Sequence, residues 1–301
     1  MKKSIVFCFS VLTVSFFSCE NDELPASPES ADIEQPIESV EARAGTWSTV
    51  FQDGFNASSN INDKWTRTTG RPDYNSSICH YKSWFSTLET LDGKQCLRLR
   101  ARKINNSEYR AGHVKSKYSY EPNNNEEYRL TASIKLLARD GNNYKGFGQT
   151  YGAWPAFWTV QENNWPTKGE IDIMEGYSKA PNSPKFASNL FYGTSSMDDL
   201  LENRLAHEYG VSEGWHTYEM RWKKSSTGYV TVYIYLDGSH IKTYNNRSDD
   251  KLRLQNFGPH NIILNLNVGA DNSDIFDNSK INLFSDTSMY VDYVKLQKRN
   301  I

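Results

Sequence analysis

The amino-acid sequence predicts an all-β protein, an antiparallel sandwich of two sheets in a single domain. Short runs alternate apolar and polar residues, for example residues 96–101, 128–136, 229–236 and 290–296, and stretches with Gly, Asn and Asp lie between them. Alternation of this kind is typical of strands with one buried face, and many short strands separated by turns indicate a sandwich. No long segment keeps a helical period, so we expect one short helix only, around residues 197–207.

The turn signals support this fold. Asp237 and Gly238 lie between two alternating runs. A pair of this type is favoured in two-residue hairpin loops, where both residues need a positive φ angle. The sequence therefore predicts a hairpin at this point.

Length and charge limit the functions open to the chain. It has 301 residues and a formal net charge of −2, with 34 basic and 36 acidic side chains. This balance argues against nucleic-acid binding by bulk electrostatics and against a disordered acidic chain. The length fits one large domain, which we expect to be a monomer.

The N-terminal segment predicts export. Lys2 and Lys3 precede an apolar run over residues 4–17, which is too short to span a membrane and is typical of a secretory signal peptide over residues 1–18. The run ends at Ser18 and Cys19, a pair that resembles the lipobox of bacterial lipoproteins. That resemblance implies acylation of Cys19.

Two features after Cys19 extend this prediction. Acidic residues dominate positions 20–23 and resemble the surface-export signal of Bacteroidetes lipoproteins. The segment up to residue 44 is rich in Pro, Glu, Ser and Ala and lacks aromatic residues, which indicates a flexible tether. We therefore expect residues 19–44 to anchor the folded body, residues 45–301, at the outer membrane, with the cell surface as the preferred side.

Two cysteines, Cys79 and Cys96, lie in the folded body. In an oxidising compartment they could form one disulfide. Two separate buried thiols are the alternative, because free cysteine is among the most buried residue types. No Cys and His cluster has the spacing of a zinc site.

The chemistry of the chain is predicted to centre on Glu170, Asp172 and Glu175, which fall within six positions. In a regular strand Glu170 and Asp172 share one face, and Glu175 points to the other. A β-bulge near Met174 restores the parity and brings all three carboxylates to the same face. The flanking Ile171 indicates an interior strand rather than a solvated edge.

Three close carboxylates cannot all ionise cheaply, so the pKa of at least one is raised and a proton stays in the row. Retaining glycoside hydrolysis needs this arrangement, with one ionised carboxylate and one protonated carboxyl. We assign Glu170 as the nucleophile and Glu175 as the acid/base. Asp172 lies between them, where it holds the proton or orients the nucleophile. A solvated acidic edge or part of a cation site is the alternative interpretation.

Three tryptophans precede the acidic residues and predict a sugar-binding groove. Trp154 and Trp158 lie on one short run, and Trp165 lies in a polar loop after it. An indole combines a large apolar face with an N–H group that needs a partner when buried. We expect these rings to be stacking platforms, with Trp165 the most exposed. The alternative is that one of Trp154 and Trp158 belongs to the core.

Several motifs in order make the chain similar to glycoside hydrolase family 16. The segments that carry the resemblance cover most of residues 47–297: residues 152–158, 170–175, 215–222, 236–238 and 262–269. The resemblance implies a concave β-jelly roll and endo-acting hydrolysis with retention. It assigns Glu170 as nucleophile and Glu175 as acid/base, and no cofactor is required.

The sequence does not decide between several classes of glycan as the substrate. The run from Trp154 to Glu170 looks most like enzymes that cut β-1,3- or mixed β-1,3/1,4-glucan. Such glucanases usually carry a histidine on the strand after the acidic residues, which this chain lacks; Asn189 or Tyr192 could take its place. The alternatives are an endo-β-galactanase acting on agarose, porphyran or carrageenan, an enzyme acting on host O-glycans, and a noncatalytic glycan-binding lipoprotein.

Two further residues follow from the resemblance. Arg110 falls where the family places a cleft strand and could hydrogen-bond a sugar hydroxyl or a sulfate, although a surface charge is equally compatible. Many family members hold a structural calcium through a C-terminal acid. Asp292, on the last alternating run, is the candidate ligand, with a solvated carboxylate as the alternative.

Overall fold

The computed structural model describes residues 45–56, 58, 60–70, 77–105, 108–140, 143–178, 184–196, 198–270, 275–281 and 284–301. These residues all belong to one compact unit. The predicted signal peptide, Cys19 and the tether lie outside them. No helix in these ranges is long and apolar enough to cross a membrane.

The described residues form strands almost throughout, as the alternating runs predicted. In chain order the strands are β1 Ser48–Asp53, β2 Trp65–Arg67, β3 Cys79–Tyr81, β4 Ser86–Leu91, β5 Lys94–Asn105, β6 Glu108–Ala111, β7 His113–Tyr120, β8 Glu126–Asp140, β9 Asn143–Lys145, β10 Ala153–Val160, β11 Glu170–Ser178, β12 Pro184–Phe191, β13 His207–Tyr209, β14 Trp215–Lys224, β15 Val230–Leu236, β16 Ser239–Asn245, β17 His260–Val268 and β18 Asp286–Asn300. One short helix, α1, spans Ile61–Lys64, and 3₁₀ turns span Ser83–Phe85, Phe147–Gln149, Glu162–Asn164, Leu254–Asn256 and Asn278–Lys280.

The strands form two sheets, which confirms the predicted fold class. The first has eleven strands in the order β16-β15-β14-β8-β18-β5-β6-β3, with β1, β4 and β9 paired at its sides. The second has seven strands in the order β13-β12-β11-β10-β17-β7-β2. Among the described strands, every pairing is antiparallel except that of β3 with β6.

The core lies between the two sheets, and alternation along β17 shows how it is built. Ile262, Leu264 and Leu266 are buried in the core, and the residues between them, such as Asn265, point to the opposite face. Side chains from both sheets meet in this layer: the Tyr244 hydroxyl of β16 donates to Ser188 Oγ of β12 at 3.2 Å. The opposite face of the seven-stranded sheet carries the acidic residues, and we call it the acid face.

The prediction of a short helix around residues 197–207 is wrong. The described residues there form turns and then the strand β13, His207–Tyr209. Leu201 and Leu205 are buried in the core although no helix carries them. The backbone closes overlapping turns there, with Arg204 N–H donating to the Leu201 carbonyl at 2.9 Å and Ala206 N–H to the Asn203 carbonyl at 3.1 Å, and these do not continue as a helix.

The two cysteines of the body are separate buried thiols. Cys79 Sγ donates to Asn267 Oδ1 at 2.9 Å, and burial raises the pKa of Cys79 to about 11. Cys96 lies on β5, away from this contact. The disulfide considered from the sequence is therefore not formed, and the alternative of two separate thiols is the correct one.

The predicted hairpin is confirmed: Leu236 pairs with Ser239, and Asp237 and Gly238 have φ angles of 50° and 79°.

Replacing Gly238 by Ala forces a side chain into the left-handed region, and we expect the free energy of unfolding to fall by about 1 kcal/mol. Nothing lies within 4 Å of a Cβ at this position, so the loss reports backbone strain alone. Urea unfolding measures it.

Gly210→Ala is the matched control for this substitution. A Cβ at Gly210 also meets no atom within 4 Å, and its backbone lies outside the left-handed region. We expect the free energy of unfolding of Gly210→Ala to change by no more than about 0.5 kcal/mol. An equal fall in the free energy of unfolding for both substitutions would contradict the attribution to backbone strain.

Candidate active site

The three predicted carboxylates lie together on the acid face, and a bulge puts them there. Asp172 pairs with Trp158 on β10, and Glu175 pairs with Ala156, so β11 carries one extra residue between these two pairs. The pairing of β11 with β12 shifts over the same interval. The extra residue corrects the side-chain parity, as predicted from the spacing in the sequence.

Burial raises the pKa of each carboxyl group in this row, and repulsion adds to the rise for Glu170 and Asp172. Asp172 and Glu175 are 2% and 7% exposed, and Glu170 is half-buried. Loss of solvent is the largest cause for all three, and Glu175 adds a repulsive charge next to both of the others. A row of this kind retains protons at neutral pH, because ionising every member would bury three adjacent negative charges.

Asp172 holds its proton most firmly. Its pKa is raised well above the usual range by burial and by Glu175 and Glu170 on either side. It also hydrogen-bonds Glu170, a contact that lowers the pKa of Glu170 and raises that of Asp172. Donation from a protonated Asp172 favours the ionised form of Glu170 that a nucleophile needs, and it opposes burial and the charge of Glu175, which together raise the pKa of Glu170 to about 8.

Each glutamate also accepts a hydrogen bond from a tryptophan side chain. Trp154 Nε1 donates to Glu175 Oε1 at 3.0 Å, and Trp165 hydrogen-bonds Glu170. Tyr177, two residues after Glu175 on the same strand, makes a third such contact, with Glu175. An indole N–H can only donate, so these bonds favour the carboxylate form of each glutamate.

For Glu175, burial outweighs these hydrogen bonds. Desolvation raises its pKa to about 7, and the donors Tyr177 and Trp154 lower it from a still higher value. A carboxyl group with this pKa carries a proton in mildly acidic solution and can give it up near neutrality. That behaviour is what an acid/base residue requires.

The tryptophans consequently differ from the prediction that all three are open platforms. Trp154 is only 8% exposed and packs with the core aromatic residues, whereas Trp158 and Trp165 are both half-buried. Trp154 and Trp165 use their N–H groups on the glutamates. Trp158 pairs directly with Asp172, donates to Asn265 Oδ1 at 2.7 Å and keeps part of its ring exposed as a platform.

The turn before Glu170 is held in place by residues that the sequence analysis missed. Gly169 has a φ angle of 75°, and a Cβ there would lie 2.4 Å from the ring of Phe257. Next to it, the carbonyl of Lys168 accepts a hydrogen bond from His260 Nε2 at 2.8 Å. His260 is fully buried, and burial lowers its pKa to about 4, so it stays neutral while it fixes this turn.

Of the two candidates for the missing histidine, only one lies on the acid face. Asn189 pairs directly with Asp172 and donates to Asn203 Oδ1 at 3.0 Å. Tyr192 is wrong as a subsite residue: its ring stacks on Phe257 in the core, and its hydroxyl accepts a hydrogen bond from Asn256 Nδ2 at 2.8 Å. Tyr192 follows the end of β12, where strand parity no longer predicts direction.

Phe191 also borders the site and was not predicted from the sequence. This residue pairs directly with Glu170 across β11 and β12, and its ring centre lies 6.4 Å from that of Trp165. An apolar ring therefore borders the nucleophile on the side of β12. Its position two residues after Asn189 on an alternating strand was the available signal.

Arg110 and Asp292 are not part of this arrangement. Arg110 lies on β6 of the eleven-stranded sheet, where it forms an ion pair with Glu108, with Nε 3.7 Å from Oε1. The neighbouring Tyr109 points into the core, so Arg110 points out of that sheet. It is therefore not a residue of the acid face.

The carboxylate of Asp292 forms an ion pair with Lys94, which raises the pKa of that lysine. The Lys94 ammonium group occupies the place that a cation would take at Asp292. In the part of the chain that the structure describes, no three His, Cys, Asp or Glu side chains are arranged to hold a metal ion. The contacts of Asp292 do not fit a calcium ligand, and a structural calcium stays a prediction from the resemblance alone.

Two glutamates with raised pKa values on one strand face of a two-sheet β fold are the arrangement expected of a glycoside hydrolase. The family model described as glycosyl hydrolases family 16 matches residues 89–294. The chain belongs to this family. The resemblance drawn from the sequence motifs is thereby confirmed.

Comparison with individual proteins gives the same family. Glucan endo-1,3-beta-glucosidase A1 of Niallia circulans is 24% identical over 278 residues, 83% of this chain and 37% of that protein. Among solved structures, an endo-1,3-beta-glucanase from Streptomyces sioyaensis superposes with a TM-score of 0.65 at 23% identity, covering 84% of this chain and 96% of that one. A family 16 endo-glucanase from Bacteroides ovatus, in complex with G4G3G-2F-DNP, has a TM-score of 0.62 and 25% identity, with coverage of 82% and 99%. The chain thus spans little more than a third of the curated relative and nearly all of each solved structure.

The Trp154 contact predicts a change in the pH profile. The indole N–H stabilises the carboxylate form of Glu175, so Trp154→Phe raises the pKa of Glu175. Because catalysis needs this residue protonated, activity is lost as pH rises through that pKa. We expect the alkaline limb of the kcat/KM profile to move to higher pH by about one unit.

Trp215→Phe is the matched control, because Trp215 Nε1 also donates to a carboxylate, Asp92, at 2.9 Å, but on the other sheet. We expect its pH profile to match that of the unmodified protein. An alkaline limb that stays in place or moves to lower pH in Trp154→Phe would show that the indole does not tune the acid/base residue.

Proposed function

We propose that the protein is an endo-acting, retaining glycoside hydrolase that cleaves internal β-1,3- or mixed β-1,3/1,4-linkages of a β-glucan. The observation that carries the proposal is the row of three carboxyl groups with raised pKa values on one strand face, with indole donors on both glutamates. The matched relative and both solved structures described above are named as β-1,3-glucan-cleaving enzymes or endo-glucanases. Their names support the substrate class.

The first half of the reaction uses the ionised form of Glu170 and the protonated form of Glu175. The Glu170 carboxylate attacks the anomeric carbon while Asp172 keeps its proton and orients the attacking group. The glycosidic C–O bond breaks, and Glu175 gives its proton to the leaving oxygen. The product is a glycosyl ester on Glu170, with Glu175 now ionised.

The second half reverses these roles. The Glu175 carboxylate takes a proton from water, and the water oxygen attacks the anomeric carbon. The ester bond to Glu170 breaks, and both glutamates return to their starting states. Two inversions give net retention of the anomeric configuration: Glu175 gives one proton to the leaving oxygen and regains one from the attacking water.

Reducing-end release by the purified protein tests the substrate class on laminarin, barley mixed-linkage glucan, lichenan, agarose, porphyran, carrageenan and mucin O-glycans. We expect oligosaccharides from the glucans, with the β-anomer appearing first in ¹H NMR of the new reducing end. Activity on a galactan or mucin glycan alone would overturn the glucan assignment. Binding without hydrolysis on every substrate would favour the noncatalytic alternative.

Substitutions separate catalysis from binding. Glu170→Gln removes the nucleophile and keeps its size, and we expect kcat to fall by at least about 10³-fold while oligosaccharide affinity changes little. Glu89→Gln, in an ion pair with Arg98 on the other sheet, is the control and leaves kcat unchanged. Normal hydrolysis by Glu170→Gln would refute the nucleophile assignment.

We further propose that the monomeric enzyme is held at the outer membrane by an acyl chain on Cys19 and faces the cell surface, without a required cofactor. The apolar run before Cys19 and the acidic residues after it support this anchor. Incorporation of a labelled fatty acid is expected in the expressed full chain and is lost in Cys19→Ala. Cys8→Ala, inside the apolar run, is the control that keeps the label.

Unchanged labelling in Cys19→Ala would refute the anchor. Digestion of intact cells with an added protease then tests the side of the membrane. A surface enzyme is degraded, and survival of the protein in intact cells but not in lysed cells would contradict surface exposure.

A further inference from the structure

Trp158 is the aromatic ring that the acid face offers next to the carboxylates, and its orientation depends on one hydrogen bond. It pairs with Asp172 across β10 and β11, and part of its ring is exposed. Its Nε1 donates to Asn265 Oδ1 at 2.7 Å. A sugar stacked on this ring would lie beside Glu170 and Asp172, so a rotation of the indole would move the sugar relative to the nucleophile.

Asn265 can hold this bond in one orientation only. The indole N–H is a donor without acceptor capacity, so the amide atom that faces Trp158 must be the oxygen. The amide nitrogen then faces the other way, and Nδ2 donates to the hydroxyl oxygen of Tyr81 at 3.3 Å. Asn265 is 2% exposed, which makes a rearranged amide with unpaired groups costly.

Tyr81 comes from the other sheet and is itself rigidly held. It ends β3 of the eleven-stranded sheet, and only 3% of its surface is exposed. Its backbone N–H and C=O both pair with Gly70, at 2.7 and 3.1 Å. Its ring lies against His113, with ring centres 4.9 Å apart, and His113 pairs directly with Asn265 across β7 and β17.

This geometry points to Tyr81 as a positioning residue for substrate binding, acting on Trp158 through Asn265. The inference rests on the proposed glycan hydrolysis and identifies a residue that sets the productive position of the sugar. Tyr81 fixes the Asn265 amide, the amide fixes the indole, and the indole is then pre-oriented for stacking before substrate arrives. Pre-orientation reduces the conformational entropy that binding would otherwise cost.

A double-mutant cycle tests this relay. Tyr81→Phe removes the hydroxyl and keeps the ring against His113, and we expect KM for the hydrolysed glycan to rise about three- to tenfold with kcat within about twofold. In the Trp158→Phe background, which already lacks the indole N–H, Tyr81→Phe has no further effect on KM. An effect that adds in full to that of Trp158→Phe would mean direct contact with substrate and would overturn the relay.

Tyr109→Phe is the matched control for loss of a buried hydroxyl. Tyr109 lies on β6, next to β3, is fully buried, and donates to the Phe284 carbonyl at 3.3 Å. We expect this substitution to leave KM unchanged, even if it lowers the melting temperature. Equal increases of KM in Tyr109→Phe and Tyr81→Phe would show that both act through general stability.

A spectroscopic measurement tests the same relay without substrate. The indole ¹H–¹⁵N resonance of Trp158 is assigned by its absence in Trp158→Phe. We expect Tyr81→Phe to shift this resonance and to speed its exchange with solvent, while Tyr109→Phe leaves it in place. An unchanged Trp158 resonance in Tyr81→Phe would overturn the inference, whatever the kinetic results. If the resonance shifts but the unmodified protein hydrolyses none of the glycans, only the proposed function is contradicted.

Discussion

The structure depends on one electrostatic constraint, the burial of three carboxyl groups on a single strand. Such a row is stable only if protons and hydrogen-bond donors are supplied around it. Asp172 keeps a proton, Trp165 and Trp154 direct N–H groups at the two glutamates, and a bulge in β11 aligns the row. These contacts also act on the two glutamates, because their donors lower pKa values that burial has raised to about 8 for Glu170 and about 7 for Glu175.

The same constraint explains why large aromatic residues surround the acidic residues. An indole excludes water and provides one directed donor, so it can raise a neighbouring pKa by burial and limit the rise by hydrogen bonding. Trp154 does both for Glu175. Trp158 has a different partner, Asn265, and remains available to a sugar. The seven-stranded sheet holds the chemistry, and Tyr81 connects it to the eleven-stranded sheet.

Much of the fold and of the catalytic row was predictable because both follow local periodicities. Alternation predicts strands, Asp237-Gly238 predicts a hairpin, and the spacing of Glu170, Asp172 and Glu175 demands a bulge. The helix expected over residues 197–207 failed because the described residues there close short turns whose hydrogen bonds do not continue as a helical ladder. Tyr192 failed because it lies past the end of its strand, where alternation stops.

The sequence by itself determined the class of fold, the catalytic strand and the need for a shared proton, since each depends on residues near one another in the chain. Tertiary structure alone decided which tryptophan serves a glutamate and which faces substrate. Trp154 and Trp158 have the same strand parity and nearly the same surroundings in sequence. Their roles differ because the register with β11 and β17 places Glu175 beside one and Asn265 beside the other, and pairing between distant strands is set by the packing of the whole sheet.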